Sequence, residues 1–585
     1  MATEKPSLHL TEDARSSPPD SHHELNAEEI KGRDFTVDQD ALPPGYFTSF
    51  NFLGSMFAMG ASLGAGVASF AMIAPVLSYV NADIGPSPNL TWVALAYLLT
   101  TSVGFLIVGR VTDIFGRRWT FIGGSVLATV GSIVCATAPN VNALIAGETL
   151  LGLASSSQLS YVFAVSELVP IKWRFLGQGY VCIWGIPGSG LAPVIAYSFV
   201  FKTNVGWRGV FYLLIALNAL ITVAWVLCYH PPDFKMKHGN ARKWQYIKEF
   251  DYIGLLMVVL GMLLFLMGIS WGGVLYPWKS AHVISTIVVG FALLVAFVLY
   301  EIYMPLKEPV VPMYLFKNRG WNVTVIIWAL GASVYYSLAL LYPNMVAVLY
   351  SNNHGIMWVG WASCVSNSAI LFGEYFVPLG MMFPKRTMQI WGTFTIGAIF
   401  VAAAAACGPN TPVMAMVLIF IGAAFTGYCE VGCCSVSTIV IDDQREIGTA
   451  TGLAASIRTA VSTVCSTVYT TVLANRLATT IPNRVPSALT SAGLPSGSVT
   501  AFLGAVSTGS ASAWEAVEGL TPEIREAGMN AYRLANSDAY RTVFLTTIAF
   551  SGLGIICGAF YPNMDHKVTS EVSVQIQQKA EKSEA

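Results

Sequence analysis

Four ionisable side chains lie within long apolar runs of the sequence, where charged residues are rare. They are Glu148, Glu374, Glu430 and Arg458. A charged side chain at the centre of a membrane-spanning helix costs at least ~2.5 to 3.5 kcal/mol on insertion scales, so such a residue usually has a function. A carboxylate in this setting can exchange a proton, and an arginine can pair with a carboxylate. We therefore predict that these four residues lie along a path for protons or for a substrate.

Glu430 and Arg458 lie in consecutive apolar segments joined by a short charged turn. Glu430 is thirteen residues before Asp443, and Arg458 is twelve residues after Glu446. At ~1.5 Å of rise per residue, both lie roughly 18 to 20 Å from the turn, near the middle of a membrane. Two interpretations stay open at this point, namely a static ion pair that holds two helices together and a pair of residues that face a central pathway.

The composition of the chain is typical of a membrane protein. Of its 585 residues, 54% are hydrophobic and only 11% are charged, against about 25% charged residues in soluble domains. A helix that spans the ~30 Å hydrocarbon core needs about 20 mostly apolar residues. We therefore predict an all-α membrane protein with fourteen transmembrane helices. They lie near residues 52–80, 90–109, 118–137, 142–168, 176–200, 207–229, 252–274, 282–303, 322–350, 356–380, 387–407, 412–440, 447–475 and 541–562.

Basic residues are concentrated in alternate loops, which predicts the orientation of the chain. The positive-inside rule places these loops and both termini in the cytosol. The polar stretches 1–45 and 563–585 are then expected to be disordered cytosolic tails, and residues 476–540 a long outer loop. The basic residues are Arg110, Arg117, Arg118, Lys172, Arg174, Lys235, Lys237, Arg242, Lys243, Lys248, Lys307, Lys317, Arg319, Lys385, Arg386 and Arg445.

Several function classes are disfavoured by what the sequence lacks. The net charge of −1 implies no bulk attraction to nucleic acid. The sequence contains no G-x-x-x-x-G-K-[ST] phosphate loop, which disfavours an ATP-driven pump. Its eight histidines all lie in tails, loops or segment edges, so a catalytic constellation inside the membrane is not expected. Most of the ten cysteines lie in apolar segments, where they act as small packing residues. We expect no enzyme activity, no cofactor and no metal site.

The turn after the second apolar segment carries a motif with charged and glycine residues at fixed spacing. Gly109, Asp113, Gly116, Arg117 and Arg118 match all five fixed positions of G-x-x-x-D-x-x-G-R-[RK]. This loop resembles the one between helices 2 and 3 that marks the major facilitator superfamily. The resemblance implies a cytosolic latch, in which the aspartate interacts with the positive N-terminus of a facing helix and the arginines pair with nearby acids such as Glu167.

A second motif lies in the fifth apolar segment. Gly179, Gly188, Ala192, Pro193 and Ala196 follow the spacing G-x8-G-x3-[GA]-P-x2-[GA]. This pattern resembles the antiporter motif of facilitator exporters, with two glycines replaced by alanine. Small residues allow helices to approach closely and a proline kinks a helix, so the motif suits a contact that slides or rocks. The alternative is an ordinary packing face of small residues.

Two stretches narrow the resemblance to one branch of the superfamily. Lys307–Arg319 looks like the loop before the ninth helix of fourteen-span drug:proton antiporters, and Ala492–Pro495 is most like fungal trichothecene-type efflux pumps. The resemblance implies two six-helix bundles, at 46–230 and 306–562, joined by a segment 231–305 with two extra helices. The chain departs from this branch because its first apolar segment has no aspartate. In the fourth, Glu148 occupies the position of a frequent arginine.

The function that follows from the resemblance is proton-coupled efflux of a small organic compound such as a toxin or secondary metabolite. Siderophore-iron import by the same fold is the alternative, because related importers share the long last outer loop. We expect a monomer in the plasma membrane, with a vacuolar or vesicle membrane as the alternative. Asn89 starts an Asn-Leu-Thr acceptor on the outer side, so it is the candidate for glycosylation.

Overall fold

The computed structural model describes residues 37–87, 89–232, 243–273, 275–306, 309–351, 354–508 and 511–573. The predicted tail residues 1–36 and 574–585 lie outside this part of the chain. The basic residues Lys235, Lys237, Arg242 and Lys307 also lie outside the described residues.

From residue 50 onward, the described part of the first half of the chain, up to residue 306, consists of helices joined by short connections. Its helices are α1 (Phe50–Ala71), α2 (Leu77–Ile84), α3 (Thr91–Phe115), α4 (Arg118–Ala136), α5 (Val141–Gln158), α6 (Tyr161–Leu168), α7 (Arg174–Ile183), α8 (Ala192–Lys202), α9 (Arg208–Cys228), α10 (Lys243–Glu249), α11 (Tyr252–Trp271) and α12 (Ala281–Tyr303).

The second half continues in the same way. Its helices are α13 (Arg319–Leu349), α14 (Ile356–Tyr375), α15 (Arg386–Ala403), α16 (Pro412–Ile439), α17 (Ile447–Ser491), α18 (Val499–Thr508), α19 (Ala511–Glu515) and α20 (Pro522–Gly558).

Polar side chains mark where many of these helices begin. At an N-cap, a side-chain oxygen accepts a hydrogen bond from a backbone N–H that has no partner inside the helix, which fixes the first turn. The capping residues of α1, α5, α11, α12, α13 and α20 are Ser49, Asn140, Asp251, Ser280, Asn318 and Thr521.

Eleven helical segments in the described part of the chain are long and apolar enough to cross a membrane. The chain is therefore a multi-pass membrane protein, although these eleven are fewer than the fourteen predicted segments. The difference lies in three regions. The fourth segment is divided between α5 and α6, the fifth is divided between α7 and α8, and α17 is rich in threonine and serine.

The two halves of the chain meet along a central interface. Helix α3 packs along α17, and α14 packs against α8. Helices α11 and α12, the last two of the first half, form a hairpin, and small residues let them approach closely. Gly261 faces Leu294, and Gly290 faces the backbone of Phe265. Helix α11 also contacts α3 and α17.

The region expected to be a long outer loop is largely helical. Helix α17 continues to Ser491 and α20 already begins at Pro522, with α18 and α19 between them. This region has its own apolar cluster, which includes Leu489, Phe502 and Ile524. Burial of these side chains explains why a stretch rich in alanine, serine and threonine adopts a fixed fold.

Both described chain ends are ordered and lie on the same side of the molecule. Val37–Asp38 forms β1, Glu571–Val572 forms β2, and the two strands pair antiparallel. Residues 37–45 and 563–573 are therefore ordered, in contrast to the disorder predicted for the tails. We call the side that carries this sheet, together with the Gly116 turn, the terminal face.

Candidate functional site

A central cavity lies between the two halves of the chain. Its walls come from α1, α3, α6, α13, α14, α16 and α17, and the turn between α5 and α6 and the segment after α7 complete them. Aromatic rings form much of the surface, and the charged groups come from the second half. The cavity thus combines a wide apolar surface with a few polar groups, as small-molecule sites commonly do. Representative lining residues are Leu63, Phe105, Tyr161, Trp328, Tyr335 and Tyr336.

The ion pair between Arg458 and Glu430 lies in the wall of this cavity. The guanidinium of Arg458 on α17 contacts the Glu430 carboxylate on α16, and both side chains are largely buried. The guanidinium carbon is also 5.5 Å from the ring centre of Trp328 and 5.6 Å from that of Tyr336. The structure therefore combines the two interpretations left open by the sequence, because the residues pair and also face the pathway.

Glu374 is the second carboxylate in the wall of the cavity. It lies on α14 and is half-buried. The described lining thus contains two acids, Glu374 and Glu430, and one cation, Arg458. Uptake of one proton by this group would cancel its excess negative charge.

Glu148 lies apart from the central cavity. Its side chain is fully buried within α5 of the first half and does not line the central cavity. Neither of its carboxylate oxygens has a hydrogen-bond partner among the described residues. The structure therefore brings together three of the four intramembrane residues singled out in the sequence and separates Glu148 from them.

Asp113 connects the halves on the terminal face. One carboxylate oxygen accepts hydrogen bonds from the backbone N–H of Thr449 at 2.5 Å and from its hydroxyl at 2.8 Å. The other carboxylate oxygen lies 3.1 Å from the Arg117 guanidinium. Thr449 lies in the first turn of α17, where the unpaired N–H groups and the helix dipole favour a negative charge. This is the contact that the motif at Gly109–Arg118 implied.

The two arginines of the motif bind within the first half. Arg117 is buried, forms an ion pair with Glu167, and lies 4.7 Å from the ring centre of Phe163. Arg118 donates to the carbonyl oxygen of Val226 at 2.9 Å. The pairing of Arg117 with Glu167 fixes the position of Asp113 one helical turn away, because Arg117 contacts both acids.

Gly109 allows the close approach of α3 and α17. A Cβ atom at this position would lie 2.6 Å from the carbonyl oxygen of Gly448 and 3.0 Å from the Cα of Gly452. Gly116 ends α3 with φ of +91°, a backbone conformation that favours glycine. Steric constraints thus explain why the motif has glycine at both positions.

The second motif, Gly179 to Ala196, packs against α1 on one side and against the second half of the chain on the other. A Cβ atom at Gly188 would clash with the backbone of Gly64 in α1, and one at Gly179 would lie 2.8 Å from Pro378. Gly188 lies in a π-helical turn, Ile186–Gly190, that separates α7 from α8. Ala192 and Pro193 begin α8. The motif thus places a break between α7 and α8. On one side the break packs against α1, and on the other side Gly179 packs against the second half.

The halves also meet on the side of the cavity away from the terminal face. The rings of Phe70 in α1 and Tyr336 in α13 are 5.8 Å apart in an edge-to-face arrangement. Asn367 of α14 donates to the carbonyl oxygen of Ser189 at 3.3 Å. Contacts between the halves therefore lie on both sides of the cavity, so one set must separate before a compound can enter or leave.

Sequence reasoning did not find the aromatic residues of the cavity or the role of Arg174. Aromatic residues are common in apolar segments, so the sequence alone does not indicate that Trp328, Tyr335 and Tyr336 line a cavity. Arg174 was counted only as a basic loop residue, yet it is completely buried and contacts the other half of the chain. Asn89 lies in the turn before α3, at the end opposite Asp113.

Nearly the whole chain matches one family of membrane transporters. The family model described as "Fungal trichothecene efflux pump (TRI12)" matches residues 21–584. The chain belongs to this family. Since the family is one of efflux pumps, the chain is a transporter of the efflux type, and no finding favours the siderophore importer that the sequence left as an alternative.

Two curated members of the trichothecene efflux pump family illustrate the match. The trichothecene efflux pump TRI12 of Trichoderma arundinaceum is 31% identical over 363 residues, which cover 61% of this chain and 59% of that protein. The pump of the same name from Fusarium sporotrichioides is 27% identical over 545 residues, which cover 92% of this chain and 90% of that protein.

The fold is that of the major facilitator superfamily. The proton:xylose symporter XylE superposes with a TM-score of 0.52 at 12% identity, covering 88% of this chain and 98% of XylE. At this identity the likeness concerns the fold alone.

Proposed function

We propose that the protein exports a small, amphipathic organic compound in exchange for protons. The observation that carries this proposal is the Arg458–Glu430 pair, with Glu374 beside it, in the wall of an aromatic cavity between the halves. The aromatic surface suits an apolar ring system, and the charged group suits a proton. The substrates named for the trichothecene pumps, together with other fungal metabolites, are the first compounds to test.

The proton and the compound would share the charged group at the cavity. A proton on Glu430 neutralises this carboxylate, so Arg458 pairs with Glu374 instead and the protonated group no longer binds the compound. Loss of that proton restores the Arg458–Glu430 pair, whose polar atoms can then bind the compound. Exchange would follow because each cavity state favours only one of the two ligands.

The two halves would move relative to each other during transport. We propose the arrangement of fourteen spans, with bundles at 46–230 and 306–562 rocking about the cavity. In this arrangement the terminal face lies in the cytosol and the helical region within 476–540 lies outside. The contact between Asp113 and Thr449 supports the proposal, because it joins the halves on one side of the cavity only. It would act as a latch that closes the cytosolic side.

The direct test is a flux assay in cells that express the protein at a known surface level. Cells with the protein should retain less of a trichothecene or related metabolite than cells without it, and a protonophore should remove the difference. A panel of ferric siderophores serves as the control. Uptake of a labelled siderophore with no change in metabolite retention would refute the proposed function.

A further inference from the structure

The described end of the chain crosses from one half of the molecule to the other on the terminal face. After α20 it runs along the second half and then pairs, as β2, with β1 ahead of α1. The Ser570 hydroxyl also donates to the Asp38 carboxylate at 3.3 Å. We call residues 561–573 the tail strap.

One end of the tail strap is held by the second half. Lys567 Nζ lies 2.6 Å from the Asp442 carboxylate and donates to the carbonyl oxygen of Val440 at 2.8 Å. The Asp565 carboxylate accepts from the backbone N–H of Lys385 at 2.6 Å and pairs with the Arg386 guanidinium at 3.1 Å. Two ion pairs thus fix this end to the second half.

The other end of the tail strap is held by the first half. The backbone N–H of Lys172 donates to the carbonyl oxygen of Thr569 at 2.9 Å. Arg174 donates to the Ser573 hydroxyl at 3.0 Å, and this hydroxyl in turn donates to the side-chain oxygen of Gln444 in the second half at 3.2 Å. Val572 is completely buried. This end is held by hydrogen bonds, by the burial of one apolar side chain and by the two-residue sheet, without an ion pair to the first half among the contacts described.

Arg174 ties the strap to the interface itself. Besides Ser573, its guanidinium donates to the carbonyl oxygen of Thr438 at 2.9 Å and to the side-chain oxygen of Gln444 at 2.7 Å. Both acceptors belong to the second half, at the turn between α16 and α17. If the halves separate on this face, Arg174 loses these acceptors, and the strap must release one of its two ends.

We propose that the tail strap is a brake on the opening of the cavity toward the cytosol. It holds the halves together on the terminal face, and its contacts with β1, Lys172 and Arg174 break when that side opens. The end on the second half stays bound, because Asp565 accepts from the backbone N–H of Lys385 and Lys567 donates to the carbonyl oxygen of Val440, in addition to the ion pairs. The proposal rests on the proposed function for the direction in which the terminal face points, but its mechanical part does not need a transported compound.

The first experiment measures how readily the cavity is reached from the terminal face. Ala455 lines the cavity on α17, as does the native Cys434. In a protein whose ten native cysteines are replaced by serine or alanine, Ala455→Cys therefore provides a single thiol whose reaction with a maleimide in inside-out vesicles reports opening. We expect a truncation that removes residues 569–585 to raise the labelling rate about tenfold over the full-length variant, since several hydrogen bonds are lost. The matched control removes only 574–585 and should label at the full-length rate.

A second experiment joins the strap to the first half instead of removing it. Asp38 and Glu571 are paired across the sheet, and paired strand residues have Cα atoms about 5 Å apart, which suits a disulfide. Oxidised Asp38→Cys/Glu571→Cys protein should transport several-fold more slowly than the reduced protein. Each single variant should be indifferent to the oxidant.

These outcomes separate the brake from the proposed function. Equal labelling of the full-length protein and both truncations would overturn the brake, as would faster labelling of the 574–585 truncation. Unchanged flux after oxidation, with the disulfide verified, would overturn it as well. If no compound is exported but the labelling rate responds to removal of the strap, the proposed function fails and the brake stands.

Discussion

The carboxylate of Asp113 in the first half accepts two hydrogen bonds from Thr449 in the second half, one from the backbone and one from the hydroxyl. The acceptor is an anion and the donor lies in the first turn of a 45-residue helix, which is a favourable place for negative charge. This contact between the halves is thus a charge at a helix end rather than an ion pair. Its strength depends on one carboxylate.

Asp113→Asn should slow transport without removing the protein from the membrane. A charge at a helix N-terminus contributes roughly 0.3 to 2 kcal/mol, so its loss should shift the balance of conformations by a factor of about 2 to 30. We expect the maximal rate to fall by that order, with a smaller change in the apparent affinity. The measurement is initial export rate against substrate concentration, at matched surface expression.

Asp83→Asn is the matched control for this variant. Asp83 also pairs with an arginine, Arg208, but the pair is exposed and lies within the first half. Exposed pairs contribute little to stability, so this variant should transport normally. Unchanged flux in Asp113→Asn would refute the proposed role of Asp113 as a latch.

Gly109→Ala should impair the same contact by a steric route. The added methyl group would lie 2.6 Å from the carbonyl oxygen of Gly448 and would force α3 away from α17. We expect flux to fall several-fold. Gly123→Ala is the matched control, because a Cβ atom there meets nothing within 4 Å. Equal flux in the two variants would show that the close approach is dispensable.

The orientation can be tested with engineered glycosylation sites. An acceptor placed in the turn between α17 and α18 should be glycosylated, because this region should lie outside. One placed in the segment between α9 and α10 should stay unmodified. The measurement is a shift in gel mobility that a glycosidase reverses. The opposite pattern would invert the proposed topology.

The sequence predicted the contact of Asp113 with a helix end and the common depth of Glu430 and Arg458, because both depend on regular helix geometry. The spacing from Gly109 to Arg118 places one carboxylate at a helix end, and counting from the turn places Glu430 and Arg458 at one depth. The number of fourteen spans stays a prediction, since α5–α6, α7–α8 and α17 are interrupted or less apolar.

Other features depend on contacts between distant parts of the chain. The helical region between 476 and 540 looks like a loop by composition, and only the burial of side chains such as Phe502 orders it. The sheet between β1 and β2 is two residues long, which is too short for a pattern to reveal. Glu148 resembles the other intramembrane acids in sequence, and only the fold shows that it lies apart from the cavity.

Proton coupling through Glu430 is the central claim, and transport into inside-out vesicles tests it most directly. The vesicles receive an imposed pH gradient with an acidic lumen, and accumulation of a labelled trichothecene is measured for the unaltered protein, Glu430→Gln and Glu148→Gln. We predict that the unaltered protein and Glu148→Gln accumulate the compound only while the gradient lasts, whereas Glu430→Gln does not respond to it. A gradient response in Glu430→Gln equal to that of the unaltered protein, or its loss in Glu148→Gln alone, would contradict the account.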